Sequence, residues 1–152
     1  MSKVIRTAVS NRELFQEVAE MVALGRRVEI VGKGNSMFPL IRGGLDKIVL
    51  RKTDDFSLEK GNLLLVKLSN ANYVLHRVKK YNISTVTLQG DGNLRVVETC
   101  NVEDIIAEAV EVIRGKKRIV KGSFAWKLFC LLSVQPYMIR RVVLAVWRRV
   151  FR

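Results

Sequence analysis

Two different periods of apolar residues divide this chain into segments. Residues 14–24 place apolar side chains every three to four positions, as an amphipathic helix does, and Ser10 followed by Glu13 is typical of a capping box. The pattern then changes to short β-branched or leucine-rich runs at intervals of roughly ten residues, bounded by Gly, Asn or Asp. These runs predict strands at 27–31, 47–51, 63–68, 73–79, 83–89 and 107–113.

The helical period returns in the last part of the chain. Residues 124–134 are mostly apolar but interrupted by Lys127, and Pro136 ends the run. From residue 137 onward, a helical projection separates an apolar face from a basic face. The apolar face holds Ile139, Val142, Val143, Val146, Trp147 and Val150, and the basic face holds Arg140, Arg141, Arg148, Arg149 and Arg152. Neither run reaches the roughly 18 apolar residues of a membrane-spanning helix.

These patterns predict a mainly β protein with an N-terminal helix and C-terminal basic amphipathic helices. The expected divisions are a helical segment at 1–26, a β-domain at 27–114 and a basic tail at 115–152. An apolar fraction of 49% excludes a disordered chain. Residues 1–10 lack the apolar core of a signal peptide, and Cys100 and Cys130 follow no metal or redox spacing. No metal or cofactor is implied.

Positive charge is concentrated in the tail. The net charge is +13, and residues 115–152 hold ten of the 27 basic residues and none of the 14 acidic ones. A basic helix with one apolar face is typical of attachment to an anionic membrane surface, with Trp147 at the headgroup boundary. The hypothesis is a cytoplasmic protein held at the inner face of the membrane. The alternative is that the apolar face packs on the β-domain or a partner chain. Nucleic acid is disfavoured because the arginines back onto a continuous apolar face.

Three residues of the β-domain could together carry acyl-transfer chemistry. Ser36 lies in a glycine-rich turn, His76 is the only histidine and lies on a strand, and Asp91 lies in a Gly-Asp-Gly loop. A neutral imidazole can remove the serine proton while a carboxylate orients the ring. Taken singly, each residue is more typical of a structural role in a turn or a core. Spacing alone does not bring the three together.

Four sequence boxes, in the same order, resemble those of type I signal peptidases and the related self-cleaving repressor proteases. Residues 34–39 (GNSMFP) resemble the Gly-x-Ser-Met-x-Pro box, 61–66 (GNLLLV) the Gly-Asp-hydrophobic strand, 73–78 (YVLHRV) the general-base strand and 88–93 (LQGDGN) the Gly-Asp-x-Asn box. The pair His76-Arg77 is similar to the archaeal and endoplasmic-reticulum type, whereas bacterial enzymes and the repressors carry lysine there. The resemblance covers about residues 27–114.

The resemblance implies a signal-peptidase-like β-fold with Ser36 as nucleophile, His76 as general base and Asp91 as orienting carboxylate. It also implies an oxyanion hole formed by the Ser36 N–H with help from Asn35, and a substrate contact at Met37. The substrate would be a peptide or precursor protein that binds as an extended strand at the edge of a groove.

The implied function is a serine endopeptidase that cuts a leader or signal-like segment. Two departures from the family pattern bear on it. Asn62 stands in place of the usual Asp, and Val97, followed by Glu98, stands where the His-type enzymes tend to have another Asp. The alternative is a catalytically inactive relative that keeps the groove and acts as a peptide-binding interaction module.

Overall fold

A computed structural model describes the backbone of residues 3–4 and 11–151 and the side chains of residues 12–151. This part of the chain forms one sheet with helices at both ends, so the prediction of a mainly β fold with N- and C-terminal helices is confirmed. The strands are β1 Lys3–Val4, β2 Val28–Val31, β3 Lys47–Arg51, β4 Leu63–Lys67, β5 Tyr73–Tyr81, β6 Thr85–Gln89, β7 Glu98–Asn101, β8 Ile105–Arg114 and β9 Lys117–Val120. The α-helices are α1 Asn11–Ala23, α2 Phe124–Ser133 and α3 Tyr137–Val150, and a 3₁₀ turn, Val102–Asp104, precedes β8.

The strands lie in the order β1-β2-β3-β8-β4-β5-β6-β7, with β1 parallel to β2 and the other described pairs antiparallel. β8 is central because its ten residues pair with β3 along one edge and with β4 and β9 along the other. β5 pairs with β4 over residues 73–77, but with β6 only from Arg77 onward. Within the described chain, the second edge of β5 at 73–76 therefore has no partner strand.

Apolar side chains cover both faces of the sheet. Leu63 and Leu65 of β4 belong to the larger buried cluster, whereas Leu64 and Val66 belong to a smaller cluster on the opposite face. The larger cluster is covered by the apolar side of α1, which contributes Leu14, Val18 and Val22. Alternate residues of β4 therefore face opposite sides of the sheet, and every fourth residue of α1 faces the core, as the apolar pattern predicts. Each fully buried side chain of this kind contributes about 1.5–3 kcal/mol.

Some element bounds differ from the predicted ones. The run at 83–89 becomes a strand only at Thr85, because the Asn82 side chain accepts hydrogen bonds from the N–H groups of Ser84 and Thr85 and holds a turn. The short strands β1, β7 and β9 have no counterpart among the predicted strands. Ser10 of the expected capping box lies outside the described residues. The divisions at 26 and 114 stay predictions, and β9 extends the sheet beyond 114 by pairing with β8.

The two C-terminal helices pack on each other and on the sheet. Trp126 and Phe129 of α2 and Leu144 of α3 are buried, and the rings of Phe129 and Trp147 meet edge to face at 5.9 Å between centroids. We call α2 and α3 together the helical pair. In the part of the chain that the structure describes, no helix has the length and apolar character needed to cross a bilayer.

Two residues of the tail lie elsewhere than expected. Arg140, predicted on the basic solvent face, is buried because its guanidinium donates to the Gln89 side chain at 3.2 Å and to the Asp91 carbonyl at 3.3 Å. Trp147, predicted at a headgroup boundary, is half-buried by its packing within the helical pair. Arg152 lies outside the described residues. α3 therefore has a third side, which packs on the rest of the protein and which the division into an apolar and a basic face does not reveal.

A buried carboxylate anchors the long turn at 32–46, which holds Ser36. Asp46 is fully buried and accepts hydrogen bonds from the guanidinium groups of Arg42 and Arg114, both at 2.9 Å or less. Arg114, at the end of β8, also donates to the carbonyls of Pro39 and Leu40 at 3.1 and 2.9 Å. The turn is thereby tied to the central strand of the sheet.

Asp46→Asn should lower the free energy of unfolding by about 3 kcal/mol, because it removes the carboxylate that two guanidinium groups share. Burial alone would raise the pKa of Asp46, but the hydrogen bonds from Arg114 and Arg42 outweigh it and hold that pKa below its usual 3.8. The stabilisation is therefore present above pH 3.8 and is lost as the pH falls through the lowered folded value.

Urea unfolding near neutral pH and in acid measures both effects of Asp46→Asn. Asp55→Asn, the same change at an exposed position, is the matched control. Equal stability of the two variants near neutral pH would show that Asp46 does not anchor the turn.

Candidate active site

Ser36 lies in a turn whose two chain segments approach each other so closely that one of them must carry glycine at the point of contact. The turn leaves β2 and enters β3, and its neck is closed by the Gly44 N–H, which donates to the Gly32 carbonyl at 2.7 Å. A Cβ on Gly43 would lie 2.0 Å from the Gly34 carbonyl oxygen, so a larger residue would force the arms apart. Ser36 itself is half-buried, and its hydroxyl takes part in no hydrogen bond among the described residues.

The loop that contains Gly90, Asp91 and Gly92 lies directly against the Ser36 turn. The Gly92 N–H donates to the Ser36 carbonyl at 2.8 Å. A Cβ on Gly90 would lie 2.4 Å from the same carbonyl oxygen, and one on Gly92 would lie 2.6 Å from the Asn35 carbonyl oxygen. Both glycines are therefore needed so that the two backbones can touch.

His76 faces the Ser36 turn from β5. Its ring is buried, and Nδ1 lies 2.9 Å from Oε2 of Glu98, the first residue of β7. Nε2 points toward the turn. A Cβ built on Gly90 would lie 3.1 Å from Nε2 and 2.4 Å from the Ser36 carbonyl oxygen, so that both atoms lie on the same side of Gly90. Of the two neutral tautomers of the ring, a carboxylate at Nδ1 favours the one with its hydrogen on Nδ1. Nε2 is then an acceptor on the side of the ring where Ser36 lies.

Asp91, expected to orient the imidazole, is bound to Arg77 instead. Its two carboxylate oxygens accept from Nε and Nη2 of Arg77 at 2.7 and 2.6 Å, and both side chains are almost fully buried. Arg77 and His76 point to opposite faces of β5, and a buried guanidinium needs a carboxylate partner. Glu98 therefore makes the contact with His76 that the sequence assigned to Asp91. A catalytic role for Asp91 itself stays a prediction.

The pair of Arg77 and Asp91 lies at the centre of a buried polar cluster. Nη1 of Arg77 donates to the Gly61 carbonyl at 2.7 Å and lies 2.8 Å from Sγ of Cys130 on α2. Burial alone would lower the pKa of Arg77, but the hydrogen bonds and charge of Asp91 outweigh it and raise that pKa. Burial, with a smaller contribution from Arg77, lowers the pKa of Arg140, whose guanidinium reaches the Asp91 carbonyl.

Asn62, which stands where the resembled family has Asp, has a structural role. Its amide nitrogen donates to the carbonyls of Phe56 and Ser57 at 2.8 and 3.2 Å, and its backbone N–H donates to the Glu59 carbonyl at 3.2 Å. An ionised aspartate has no donor for these two carbonyls. Asparagine at position 62 therefore fits the turn before β4, and the hydrogen bond of His76 does not depend on it.

The two residues expected near the oxyanion and the substrate have different settings. Met37 is buried, whereas Asn35 is exposed and its carbonyl accepts from the Phe38 N–H at 3.1 Å. The backbone N–H groups of Ser36 and Met37 donate to no acceptor within the described part of the chain. They are the donors that could hold an oxyanion at the serine.

An apolar cavity of about 160 Å³ opens beside Ser36. It lies between the start of the Ser36 turn and residues 73–75 of β5, and its walls are mostly apolar side chains of the larger core cluster. The stacked rings of Phe15 and Tyr73, 4.6 Å between centroids, form part of these walls. The cavity therefore suits an apolar side chain. No group of three His, Cys, Asp or Glu side chains placed to hold a metal ion occurs among the residues that the structure describes.

A scan against protein-family models matches no family and no curated protein matches this chain, so the likeness to signal peptidases rests on the four sequence boxes.

Sequence reasoning did not place Glu98 or Arg140 at the site. The signal for Glu98 was its position next to Val97, where the resembled family tends to have a second carboxylate. The sequence also contained a signal for the ion pair of Arg77 and Asp91. Arg77 shares a strand face with Tyr73 and Leu75, and an arginine buried on such a face requires an acidic partner. No sequence pattern pointed to Arg140, whose contacts lie on another part of the chain.

Asp91→Asn should lower the free energy of unfolding by about 3–5 kcal/mol, because the buried Arg77 would lose its carboxylate. Glu98→Gln should cost less than about 1 kcal/mol, since an amide can still bond the neutral imidazole. Urea unfolding of the two variants measures the difference. A larger loss for Glu98→Gln would contradict the assignment of Asp91 to the fold and Glu98 to His76.

Proposed function

We propose that this protein is a serine endopeptidase that cuts a leader or signal-like segment of an extended peptide. The observation that supports it most is the placement of His76. One ring nitrogen pairs with Glu98 at 2.9 Å, and the other faces the turn that carries Ser36. A histidine oriented in this way beside a serine is the arrangement needed for nucleophilic catalysis.

In the proposed reaction, Ser36 Oγ attacks the carbonyl carbon of the scissile bond while Nε2 of His76 takes its proton. Glu98 keeps the ring oriented and stabilises the imidazolium that forms. The backbone N–H groups of Ser36 and Met37 would donate hydrogen bonds to the carbonyl oxygen and stabilise the negative charge that develops on it. The imidazolium then gives its proton to the leaving amine, and water, activated by the same histidine, releases the acyl group from Ser36.

The Ser36 hydroxyl must turn toward His76, because the described structure shows no hydrogen bond between the two side chains. Ser36 Oγ has no hydrogen bond to give up within the described structure, so it can rotate toward His76 without cost from a broken bond. Catalytic hydrogen bonds are often long in free enzymes and shorten when substrate is bound. Substrate that fills the groove would exclude water from the pair.

The substrate proposed for this site is an extended peptide with an apolar side chain next to the scissile bond. Residues 73–76 of β5 have one backbone edge without a strand partner in the described chain, and that edge runs beside the cavity at Ser36. A peptide strand could add there through main-chain hydrogen bonds. Its apolar side chain would fill the cavity of about 160 Å³, whose walls carry few charges.

The proposal is tested by covalent labelling with a serine-directed phosphonate, followed by mass spectrometry of the adduct. Wild-type protein should be labelled on Ser36, and Ser36→Ala should lose labelling and peptide cleavage while its stability is unchanged, because the half-buried hydroxyl has no partner to lose. His76→Ala should be equally inactive, since the two residues act as a unit. Ser69→Ala, at an exposed serine, is the control.

Full labelling and cleavage by Ser36→Ala would mean that Ser36 is not the nucleophile. A wild-type protein that binds extended peptides but neither reacts with the phosphonate nor cuts would support the alternative of a peptide-binding module.

Glu98→Gln should lower kcat by about 10²–10⁴-fold with little change in KM, because it disturbs the tautomer and charge of the base and not the groove. Wild-type activity should fall as the pH drops from about 8 to about 5, since only a neutral imidazole can take the serine proton. Glu103→Gln, at an exposed glutamate, is the control, and an unchanged kcat in Glu98→Gln would contradict the assignment.

A further inference from the structure

Both helices of the helical pair turn an apolar stripe toward solvent. On α2 this stripe lies opposite the buried Trp126, and on α3 it lies beside the side that docks through Arg140 and Leu144. The stripe residues are Phe124, Leu128, Leu131, Ile139, Val142 and Val146, and their exposed fractions range from 42% to 83%. Side chains of this size, clustered on adjacent helices and open to solvent, indicate a binding surface.

The stripes are accompanied by positive charge alone. Lys127 of α2 and Arg141, Arg148 and Arg149 of α3 are exposed, and residues 115–152 contain no acidic residue. Of the ten basic residues in this segment, Arg140 is the one that is buried in the described structure. The partner of this surface must therefore be apolar in part and negatively charged in part.

We propose that the helical pair docks on the surface of an anionic lipid bilayer. The apolar stripes would enter the boundary between headgroups and acyl chains, and the arginines would lie among the lipid phosphates. The helical pair then lies on the membrane, in keeping with helices that are too short to cross it. The residues in contact differ from those of a simple two-faced helix, because Trp147 and Val143 pack within the protein and take no part.

A second copy of the chain fits this surface poorly. A symmetric dimer through the stripes would bring two all-basic rims together, and like charges across an interface oppose binding. An anionic bilayer supplies both the apolar layer and the opposite charge. Charge complementarity therefore favours the membrane over self-association.

The proposed membrane surface lies next to the candidate active site. Arg148, Arg149 and Phe151, at the end of α3, line an open cleft together with Asn35 and Phe38 of the Ser36 turn. A protein docked through the helical pair would hold the Ser36 turn close to the bilayer. The docking proposal depends on the surface alone and does not rest on the proposed peptidase chemistry.

Co-sedimentation of the full chain with lipid vesicles tests the proposal. Vesicles that contain phosphatidylglycerol should bind the protein, and pure phosphatidylcholine vesicles should bind it at least tenfold more weakly. High salt should weaken binding to the anionic vesicles, because the electrostatic part is screened. Ser36→Ala should bind as the wild type does, which separates docking from any failure of the peptidase proposal.

Two sets of variants identify the surface. Val142→Asp should weaken binding at least tenfold, whereas Ile83→Asp, the same kind of change at a fully exposed apolar residue of the β5–β6 turn, should have no such effect. Arg148→Gln and Arg149→Gln should each weaken binding roughly fivefold. Circular dichroism checks that each variant is folded, and all of these positions are exposed.

Three results of the vesicle experiments would overturn the proposal. They are a full chain that does not bind anionic vesicles, a Val142→Asp variant that binds as tightly as Ile83→Asp, and equal binding to anionic and zwitterionic vesicles. Sedimentation velocity provides a further test, since a dimer that Val142→Asp dissociates would show that the stripes contact a second copy instead.

Discussion

The buried ion pair of Arg77 and Asp91 is the contact on which the candidate site depends. Arg77 follows His76 on β5, and Asp91 lies between the two glycines that touch the Ser36 turn. Hydrogen bonds of 2.7 and 2.6 Å join the two segments. Breaking such a pair by losing one partner costs several kcal/mol, roughly 3–5. The pair therefore sets the distance between the imidazole and the serine turn through the backbone, without touching the side chain of His76 or Ser36.

Three acidic side chains support the site in different ways. Asp46 ties the serine turn to β8, Asp91 ties the glycine loop to β5, and Glu98 contacts the imidazole. The first two are fully or almost fully buried and paired with arginines, whereas Glu98 keeps 16% of its side chain exposed and pairs with a neutral or charged ring. Support of the backbone and contact with His76 are thus assigned to separate carboxylates, and these carboxylates should respond differently to substitution.

The sequence predicted those elements whose apolar period is complete. α1, the strands from β2 to β6, β8 and the two C-terminal helices were found because each buries a regular face of its own. β1, β7 and β9 were missed because two to four residues are too few to carry a periodic signal, and their pairing depends on β2, β6 and β8. The pattern of apolar residues predicts a helix or a strand only when that element contributes its own regular apolar face to the core.

The candidate site was predictable in its serine and histidine and not in the carboxylate that contacts the histidine. Ser36 and His76 follow from the sequence boxes, but His76 and the next residue, Arg77, both require an acid, on opposite faces of one strand. Nothing in spacing decides which of Asp91 and Glu98 reaches which partner. The loop of Asp91 is placed by tertiary contacts, chiefly the glycine contacts with the Ser36 turn and the docking of Arg140, and Glu98 is placed by the pairing of β7 with β6. The same limit explains why the helical projection put Arg140 on the wrong side.

The contact of Arg140 with the glycine loop also bears on the order in which the molecule is made. Arg140 follows Asp91 by 49 residues, whereas Ser36, His76 and Glu98 are all translated before α2 begins. A growing chain therefore contains every reacting group before the loop beside them has its last hydrogen bonds. We expect the site to mature only when α3 has left the ribosome and folded back on the sheet. For the proposed peptidase, such a delay would keep an unfinished chain from cutting peptides during its own synthesis.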